Sequence, residues 1–514
     1  MLTPVGGFFF GYDIGWISGV LGMEYYVSMI TGLAPPPATP SELFQIAAPE
    51  KSLITSILSA GTCIGALIAG DCADYFGRRT TILGGCILFA VGVVLEVAST
   101  GVNLMVAGRC IAGLGVGFES AVVILYMSEV APRKVRGAMI AGYQFMITIG
   151  LLVASCITYA TEGRNDSGSY RIPIAIQFVP ALVLFVGLLI LPESPRWHVK
   201  KGNLEKARQC LARVRDQPMD SKYIDDELAE IVANHEYESA MCPDRGYFNS
   251  WAACFKGSIW KPSSNLRRTI LGASLQMMQQ WTGVNFIFYF GTTFFQQLGT
   301  ISNPFLIGLI TTLVNVLSTP ISFWMIERFG RRTILLWGAL GMLSCQFIVA
   351  IIGTINPTGV NVKVMIAFIC LSIAFFASTW GPSAWVLIGE VFPLPIRSRG
   401  VALSTASNWL WNTIIAVITP YMVGKGKGQG DLGPKVFFIW GGLCTCALVY
   451  TYFLVPETKG LSLEQVDRML EETTARTSAK WKPSTTYAAE ANMARDDEKK
   501  VDEFHEGGVH RLDA

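Results

Sequence analysis

Apolar runs of about 20 residues, each closed by a short polar break, recur twelve times along the chain. They fall at 4–23, 52–72, 80–99, 102–126, 138–160 and 173–192, then at 268–291, 304–326, 333–354, 364–389, 400–424 and 435–455. A run of that length is what an α-helix needs to cross a bilayer. The breaks after spans 2, 4, 8 and 10 hold Gly-Arg-Arg, Arg-Lys-Val-Arg, Gly-Arg-Arg and Ile-Arg-Ser-Arg, and the long break after span 6 is rich in Lys and Arg. Because Lys and Arg favour the cytoplasmic side, these breaks and both termini are predicted inside. The pattern predicts an all-α polytopic membrane protein with twelve transmembrane helices in two six-helix halves. Its parts are a first half over 1–192, a cytoplasmic linker with short helices over 193–267, a second half over 268–458 and a mostly disordered cytoplasmic tail over 459–514. An outside loop with a Pro-Pro-Pro kink covers 24–51, and the glycosylation sequon Asn165-Asp166-Ser167 also falls outside.

Three motifs occur once in each half, in the same order. Asp74-Tyr75-Phe76-Gly77-Arg78-Arg79-Thr80 returns as Glu327-Arg328-Phe329-Gly330-Arg331-Arg332-Thr333. Glu129-Val130-Ala131-Pro132 followed by Arg136-Gly137 returns as Glu390-Val391-Phe392-Pro393 followed by Arg399-Gly400. Pro192-Glu193-Ser194-Pro195-Arg196 returns as Pro456-Glu457-Thr458-Lys459-Gly460. Two membrane-embedded halves of like design, with a site between them, describe an alternating-access carrier.

Composition narrows the class further. The chain is 51% hydrophobic and 15% charged, with a mean hydropathy of +0.42, whereas a soluble globule has about 25% charged residues. A net charge of +2 argues against nucleic acid as a partner. The twelve cysteines are scattered singly, so they read as small packing residues with no metal site or disulfide framework. No nucleophile–base cluster or phosphate-cradling loop is present, so neither an enzyme nor a bound cofactor is expected. No cleavable signal peptide precedes the first span. The chain starts almost inside that span, so an amino-terminal arm is either absent or lost to a misplaced start.

The informative residues are polar ones inside apolar runs. Asp13 lies mid-way along span 1 and Arg109 within span 4, where an ionisable group costs a few kcal/mol and needs a partner or a function. They form either a permanent structural ion pair or a pair that opens when Asp13 takes a proton. In span 7, Gln276, Gln279, Gln280 and Gly283 share one helix face, followed by Asn285 and Tyr289. Further amides are Gln144, Gln177, Asn315, Asn408 and Asn412, the last two one turn apart on span 11. Each amide offers donors and an acceptor, which matches a hydroxyl. Trp380 and Trp385 flank Gly381-Pro382, read as a helix break, and Trp385 offers an aromatic face to a sugar ring. Many amides and few cations imply a neutral polyhydroxy substrate; Glu96 and Glu119 also fall in apolar runs and are left without a role. At the inner ends, Asp74, Arg78, Arg79, Glu129, Arg136, Glu193 and Arg196, with Glu327, Arg328, Arg331, Arg332, Glu390, Arg397 and Glu457, pair acids with bases and are expected to latch one conformation.

Together these residues resemble the sugar porter family of the major facilitator superfamily, from about Gly6 to Leu463, and look most like fungal monosaccharide transporters. The resemblance implies that Gln144, Gln279, Gln280, Asn285, Asn315, Trp385 and Asn412, with Asn408 nearby, bind the sugar. It also implies that Asp13, with Arg109, marks a proton symporter. Ile14 and Trp16 depart from the small or β-branched residues usual after that aspartate. The expected function is secondary transport of a neutral monosaccharide, glucose or another hexose, across the plasma membrane with a proton, by a protein working as a monomer in the lipid bilayer. Alternatives are a passive facilitator, a carrier of polyols or quinate-like acids, and a non-transporting sugar sensor.

Overall fold

A computed structural model of the chain describes residues 5–34, 45–132, 136–241, 251–261, 264–297, 303–355, 359–393, 395–424, 429–461 and 463–482. The Pro-Pro-Pro segment, the side chain of Arg136 and the tail from 483 onward lie outside them. All regular structure among the described residues is helical. Spans 1 to 5 are Val5–Val20, Ala48–Tyr75, Arg78–Ala98, Val102–Val130 and Arg136–Thr161. Spans 9, 11 and 12 are Arg331–Ile355, Arg397–Val423 and Val436–Leu454.

Four spans are each two helices, three of them expected to be continuous and span 10 expected to break at Gly381-Pro382. Span 6 is Gly168–Ala175 and Phe178–Ile190; span 7 is Asn265–Trp281 and Val284–Gln297; span 8 is Pro304–Ser318 and Ile321–Phe329; span 10 is Gly359–Ser378 and Trp380–Val391. Proline accounts for two of them: Pro180, early in the second piece of span 6, removes the N–H that would reach the Ile176 carbonyl at the break, and Pro320 stands at the 40° bend of span 8, where a missing N–H and a bulky ring interrupt the ladder. In span 7, Gly283 at φ +78° makes the break, a conformation that favours glycine. The break in span 10 precedes the expected one. It falls at Thr379 (φ −132°, ψ −82°), so Gly381 and Pro382 sit in the first turn of the following helix. That is where a proline is tolerated.

By length and composition alone, nine helices among the described residues can cross a membrane, and ten if the bent pair of span 8 counts as one. The remaining two segments are span 1, with 16 described residues, and span 7, whose amides lower its hydropathy. Large apolar side chains stand exposed on spans 3, 6, 9 and 12, among them Val91, Leu182, Ile190, Trp337, Ile351 and Phe453. Such a belt suits hydrocarbon and not water.

Span 1 packs on span 5 through a stripe of small residues. A Cβ at Gly7 or Gly11 would run into the carbonyls of Tyr143 and Ile147, and one at Gly19 into Thr158. Close backbone approach of this kind is the usual basis of helix association in lipid. Gly113 and Gly117 on span 4 do the same against span 2. Between the sequence halves, span 2 packs on span 11, span 5 on spans 8 and 10, and span 1 on span 7. Among its described residues the linker forms three α-helices, Pro195–Lys200, Leu204–Arg215 and Lys222–Met241, and a short 3-10 turn at Ala253–Phe255. The α-helices close over a small core of Val199, Ala207, Leu211, Ile224, Leu228 and Ile231. After span 12, helix Leu463–Glu472 returns to the arginine-rich end, where Arg268 at the start of span 7 pairs with Asp467.

Candidate functional site

The break in span 7 gathers its amides. Gln276, Gln279 and Gln280, on the last turns of helix Asn265–Trp281, are all buried. They converge on Asn408 of span 11. Asn408 Nδ2 donates to Gln276 Oε1 (2.6 Å) and Gln279 Oε1 (2.8 Å), while Gln280 Nε2 donates to Asn408 Oδ1 (2.8 Å). Past the break, Asn285 Nδ2 donates to Gln280 Oε1 and to Asn412 Oδ1 (3.1 Å). Asn412 Nδ2 in turn donates to Tyr289 OH (2.7 Å) and to Ser59 Oγ on span 2 (3.2 Å). The network therefore begins in the second half of the chain and ends in the first. Gln346 of span 9 supports it by donating to the Thr282 carbonyl at the break (2.7 Å).

Gln279 Nε2 also donates to the carbonyls of Trp380 (3.2 Å) and Gly381 (2.9 Å), which brings the second helix of span 10 to the network. Trp385 lies one turn on, buried, with its ring edge-on to Tyr143 at 5.8 Å. Gln144, the next residue on span 5, packs against Gly381, where a Cβ would stand 3.3 Å from Gln144 Cγ. Trp380 is fully buried and donates to the Leu335 carbonyl (2.9 Å), a packing role. Asn315 makes no side-chain hydrogen bond to the network; its Oδ1 and Nδ2 are buried without partners, as is Gln276 Nε2. A buried unsatisfied polar atom costs about 1–3 kcal/mol, and an incoming hydroxyl would relieve that cost. Trp409, whose indole donates to Ser120 Oγ at 3.1 Å across the halves, joins Ser59 as a contact that the sequence did not single out. Serines are ordinary in membrane helices and carry no signal of their own.

A second polar group lies in the first half. Asp13 and Arg109 are fully buried, with Arg109 NH1 4.0 Å from Asp13 Oδ1. Arg109 Nε donates to the Ile54 carbonyl (2.8 Å), and its guanidinium lies over the Trp16 ring at 5.0 Å. Trp16 Nε1 also donates to Asp13 Oδ1 at 3.4 Å, so this departure from the family pattern forms one wall of the pair. Tyr289 stands within electrostatic reach of Asp13 and Arg109, which makes it the link between the pair and the amide network. Toward the end opposite the arginine motifs, a cavity of about 590 Å³ is lined by Glu24, Lys51, Glu162, Asn165, Gln296 and Asn303 among others. Below it, Ser18 Oγ donates to Thr292 Oγ1 (3.3 Å) between spans 1 and 7.

At the arginine-rich end the two halves repeat one arrangement. Arg78 grips Glu129 with Nε (3.0 Å) and NH2 (2.9 Å), and Arg331 NH2 holds Glu390 (3.0 Å). Ser194 and Thr458 donate to the same two carboxylates. Glu193 accepts the backbone N–H groups of Arg78 (2.9 Å) and Arg79 (3.1 Å); Glu457 accepts those of Arg331 (2.9 Å) and Arg332 (3.1 Å). Each carboxylate thus caps a helix N-terminus. Asp74 and Glu327 reach Arg78 (3.5 Å) and Arg331 (3.9 Å) one turn away. Arg79 and Arg332 donate to the Leu189 and Tyr452 carbonyls (2.8 Å each). Arg196 and Arg397 are buried, Arg397 donating to the Phe392 carbonyl (2.9 Å), while the Arg328 carbonyl accepts from Lys459 Nζ (2.8 Å).

Most of these contacts lie within one half. Among the described residues, Arg399, named as a motif residue but not as a bridge, makes an ion pair that crosses: Nε meets Asp71 Oδ1 and NH1 meets Asp74 Oδ2, both at 3.1 Å. Lys200 and Trp251 of the linker add to it, the first at 3.0 Å from Asp74 and the second donating to Asp71 at 3.0 Å. Asp71 lies close to Asp74 on the last turns of span 2, which was the available signal.

The model of the family described as "Sugar (and other) transporter" matches residues 1–470. The chain is 45% identical to the major facilitator-type transporter ecdD of Aspergillus rugulosus, over 93% of this chain and 88% of that one. It is 39% identical to the probable glucose transporter rco-3 of Neurospora crassa, over 99% and 83% of the two chains. It is also 42% identical to the high glucose sensor RGT2 of Saccharomyces cerevisiae, over 94% of this chain but 61% of the sensor. Among solved structures, the proton:xylose symporter XylE bound to 6-bromo-6-deoxy-D-glucose superposes with a TM-score of 0.76 at 25% identity, covering 91% and 98% of the two chains. The family match over most of the chain, relatives at 39–45% identity and the shared helical fold agree, and the chain belongs to the sugar transporter family of the major facilitator superfamily.

Proposed function

We propose that this protein carries a neutral hexose, glucose in the first instance, across the plasma membrane together with a proton, by alternating access of its two halves. The observation that carries this reading is the amide chain from Gln276 to Asn412. It crosses from one half to the other at Ser59 and stands beside Asp13 and Arg109 through Tyr289. A hydroxylated ring entering from the 590 Å³ cavity exchanges hydrogen bonds with amides that already present both donors and acceptors. Protonation of Asp13 weakens its hold on Arg109 and lets the first half move relative to the second. In this reading the arginine-rich end faces the cytoplasm, so the geometry described is closed inside and faces outward. Relatives named as glucose transporters and as a proton:xylose symporter support the substrate class and the coupling.

Uptake of radiolabelled glucose by transporter-deficient yeast expressing the chain, with and without a protonophore, tests this. Uphill uptake that collapses with the protonophore is the expected result; uptake indifferent to it means a facilitator. Asp13→Asn is expected to exchange sugar across the membrane yet fail to accumulate it, and undiminished accumulation would remove Asp13 from the coupling. The 42% identity to a glucose sensor favours one second reading, a sugar-binding receptor. Absence of uptake of any hexose at normal surface expression, with glucose binding retained, would establish that reading instead.

A further inference from the structure

Span 3 carries a carboxylate that neither the repeated motifs nor the amide network uses. Glu96, near the end of helix Arg78–Ala98, has no exposed surface. Its Oε2 accepts from Gln177 Nε2 at 3.3 Å, from the break in span 6, and its Oε1 has no partner. The side chain packs on Gly108: a Cβ there would stand 2.9 Å from Glu96 Cγ. Glu96 therefore shares the span 3–span 4 contact with the residue after Gly108, which is Arg109. Both Arg109 and Asp13 lie within electrostatic reach of it.

The rest of its surroundings is short of charge. Tyr26, from helix Glu24–Thr31, and Tyr170 of span 6 face the same pocket with rings 5.5 Å apart; Tyr170 OH donates to the Ser99 carbonyl (2.8 Å). Arg171 lies over the outer side of Tyr170 at 5.7 Å. Glu119, further along span 4, is bonded to Cys86 (3.2 Å). On Arg109, NH1 and NH2 make no hydrogen bond, and Asp13 Oδ2 is likewise unpaired. One guanidinium with free donors thus lies within electrostatic reach of two carboxylates with free acceptors.

We propose that Glu96 is the counter-ion that stays with Arg109 when Asp13 binds the coupling proton, so that Asp13, Arg109 and Glu96 act as one centre. This rests on the proton-coupled reading above. With Asp13 ionised, the centre holds two carboxylates and one guanidinium, and carries one net negative charge. One proton from water forms an O–H bond on Asp13, nothing leaves, and the centre becomes neutral. Without Glu96 the same proton would leave Arg109 as a lone buried cation, which costs several kcal/mol. A neutral centre is the form that can be sealed from water, so loading the proton and closing the site become one event.

The test compares wild type and Glu96→Gln, which keeps the shape and removes the charge, in transporter-deficient yeast. The readout is the pH dependence of glucose accumulation, with counterflow of labelled glucose showing that the variant is folded and at the surface. The expected result is an accumulation profile moved to acid by about one pH unit or more, because Asp13 must now be protonated beside an uncompensated cation. A pH-dependent wild type with an unshifted Glu96→Gln profile overturns this inference alone. A wild-type profile that is flat with pH overturns proton coupling itself, and this inference with it. Should Glu96→Gln fail to reach the surface, Glu96→Asp carries the test: retracting the carboxylate is expected to give a smaller acid shift, and a wild-type profile overturns the inference.

Discussion

At the scale of single residues, Asn408 is the node on which three glutamines depend. Its side chain donates to two of them and accepts from the third, so Asn408→Ala leaves several buried amide groups without partners. Amides no longer held in place also lose their hydrogen bonds to the sugar, each worth about 0.5–1.5 kcal/mol net, and 1.4 kcal/mol is tenfold in affinity. The expected outcome is a sugar dissociation constant raised roughly 10- to 100-fold, measured by equilibrium binding to the purified protein; an unaltered constant would move the site off span 11. The amides were legible in the sequence because a polar side chain in an apolar run is expensive enough to need a reason. Ser59, which accepts from Asn412, and Ser120, which accepts from Trp409, were not, since a hydroxyl in such a helix can satisfy itself on the preceding turn. Glu96 was visible as an anomaly, but its neighbour Gly108 had to be placed before the anomaly acquired a partner.

Among the elements, the breaks matter more than the continuous helices. Gly283 at φ +78° lets span 7 change direction between Gln280 and Asn285, and the Trp440 ring lies where a side chain would go, 2.5 Å from an added Cβ. Gly283→Val meets both obstacles. The backbone alone costs about 1–2 kcal/mol, and the ring must also move. A lowered midpoint in thermal unfolding of the detergent-purified protein is expected, together with weaker sugar binding; a variant with unchanged melting and binding would show that the break does not position the amides. Hydrophobic run length located all twelve segments but not the breaks of spans 6, 7, 8 and 10. A break inside a buried helix needs a substitute partner for each freed backbone group, such as Gln346 for the Thr282 carbonyl, and such partners lie far away in sequence. The Gly381-Pro382 pair announced a break in span 10, but the turn falls at Thr379, just before it, because the proline fits the first turn of the next helix.

For the whole molecule, the duplication in sequence appears as two copies of one ion-pair cluster, the first tied to the second half through Asp74. Arg78 with Glu129 and Arg331 with Glu390 join helices within each half, whereas Arg399 holds the halves together. Arg399→Glu replaces two attractions by repulsions against Asp71 and Asp74. A shift of the conformational equilibrium by tenfold or more away from the geometry described is expected. Introducing Asn303→Cys at the opposite cavity and timing its reaction with a membrane-impermeant maleimide measures this: labelling slows in Arg399→Glu if the cavity closes, and an unchanged rate would place the bridge outside the transport cycle. The repeat of Arg136-Gly137 as Arg399-Gly400 was readable, but which arginine crosses between halves depends on how the two copies face each other, and no single-chain pattern encodes that.

Trp251 gives this bridge an optical consequence. Its indole donates to Asp71 and lies under the Arg399 guanidinium at 5.8 Å, in a pocket made from both halves and the linker. When the bridge parts, that indole exchanges a carboxylate and a cation for water, a change that shifts tryptophan emission and alters its quenching. On the alternating-access reading proposed above, the protein thus carries an intrinsic fluorophore at the seam between its halves. The difference spectrum between wild type and Trp251→Phe, followed during a rapid mix with glucose, would time the opening without any attached label.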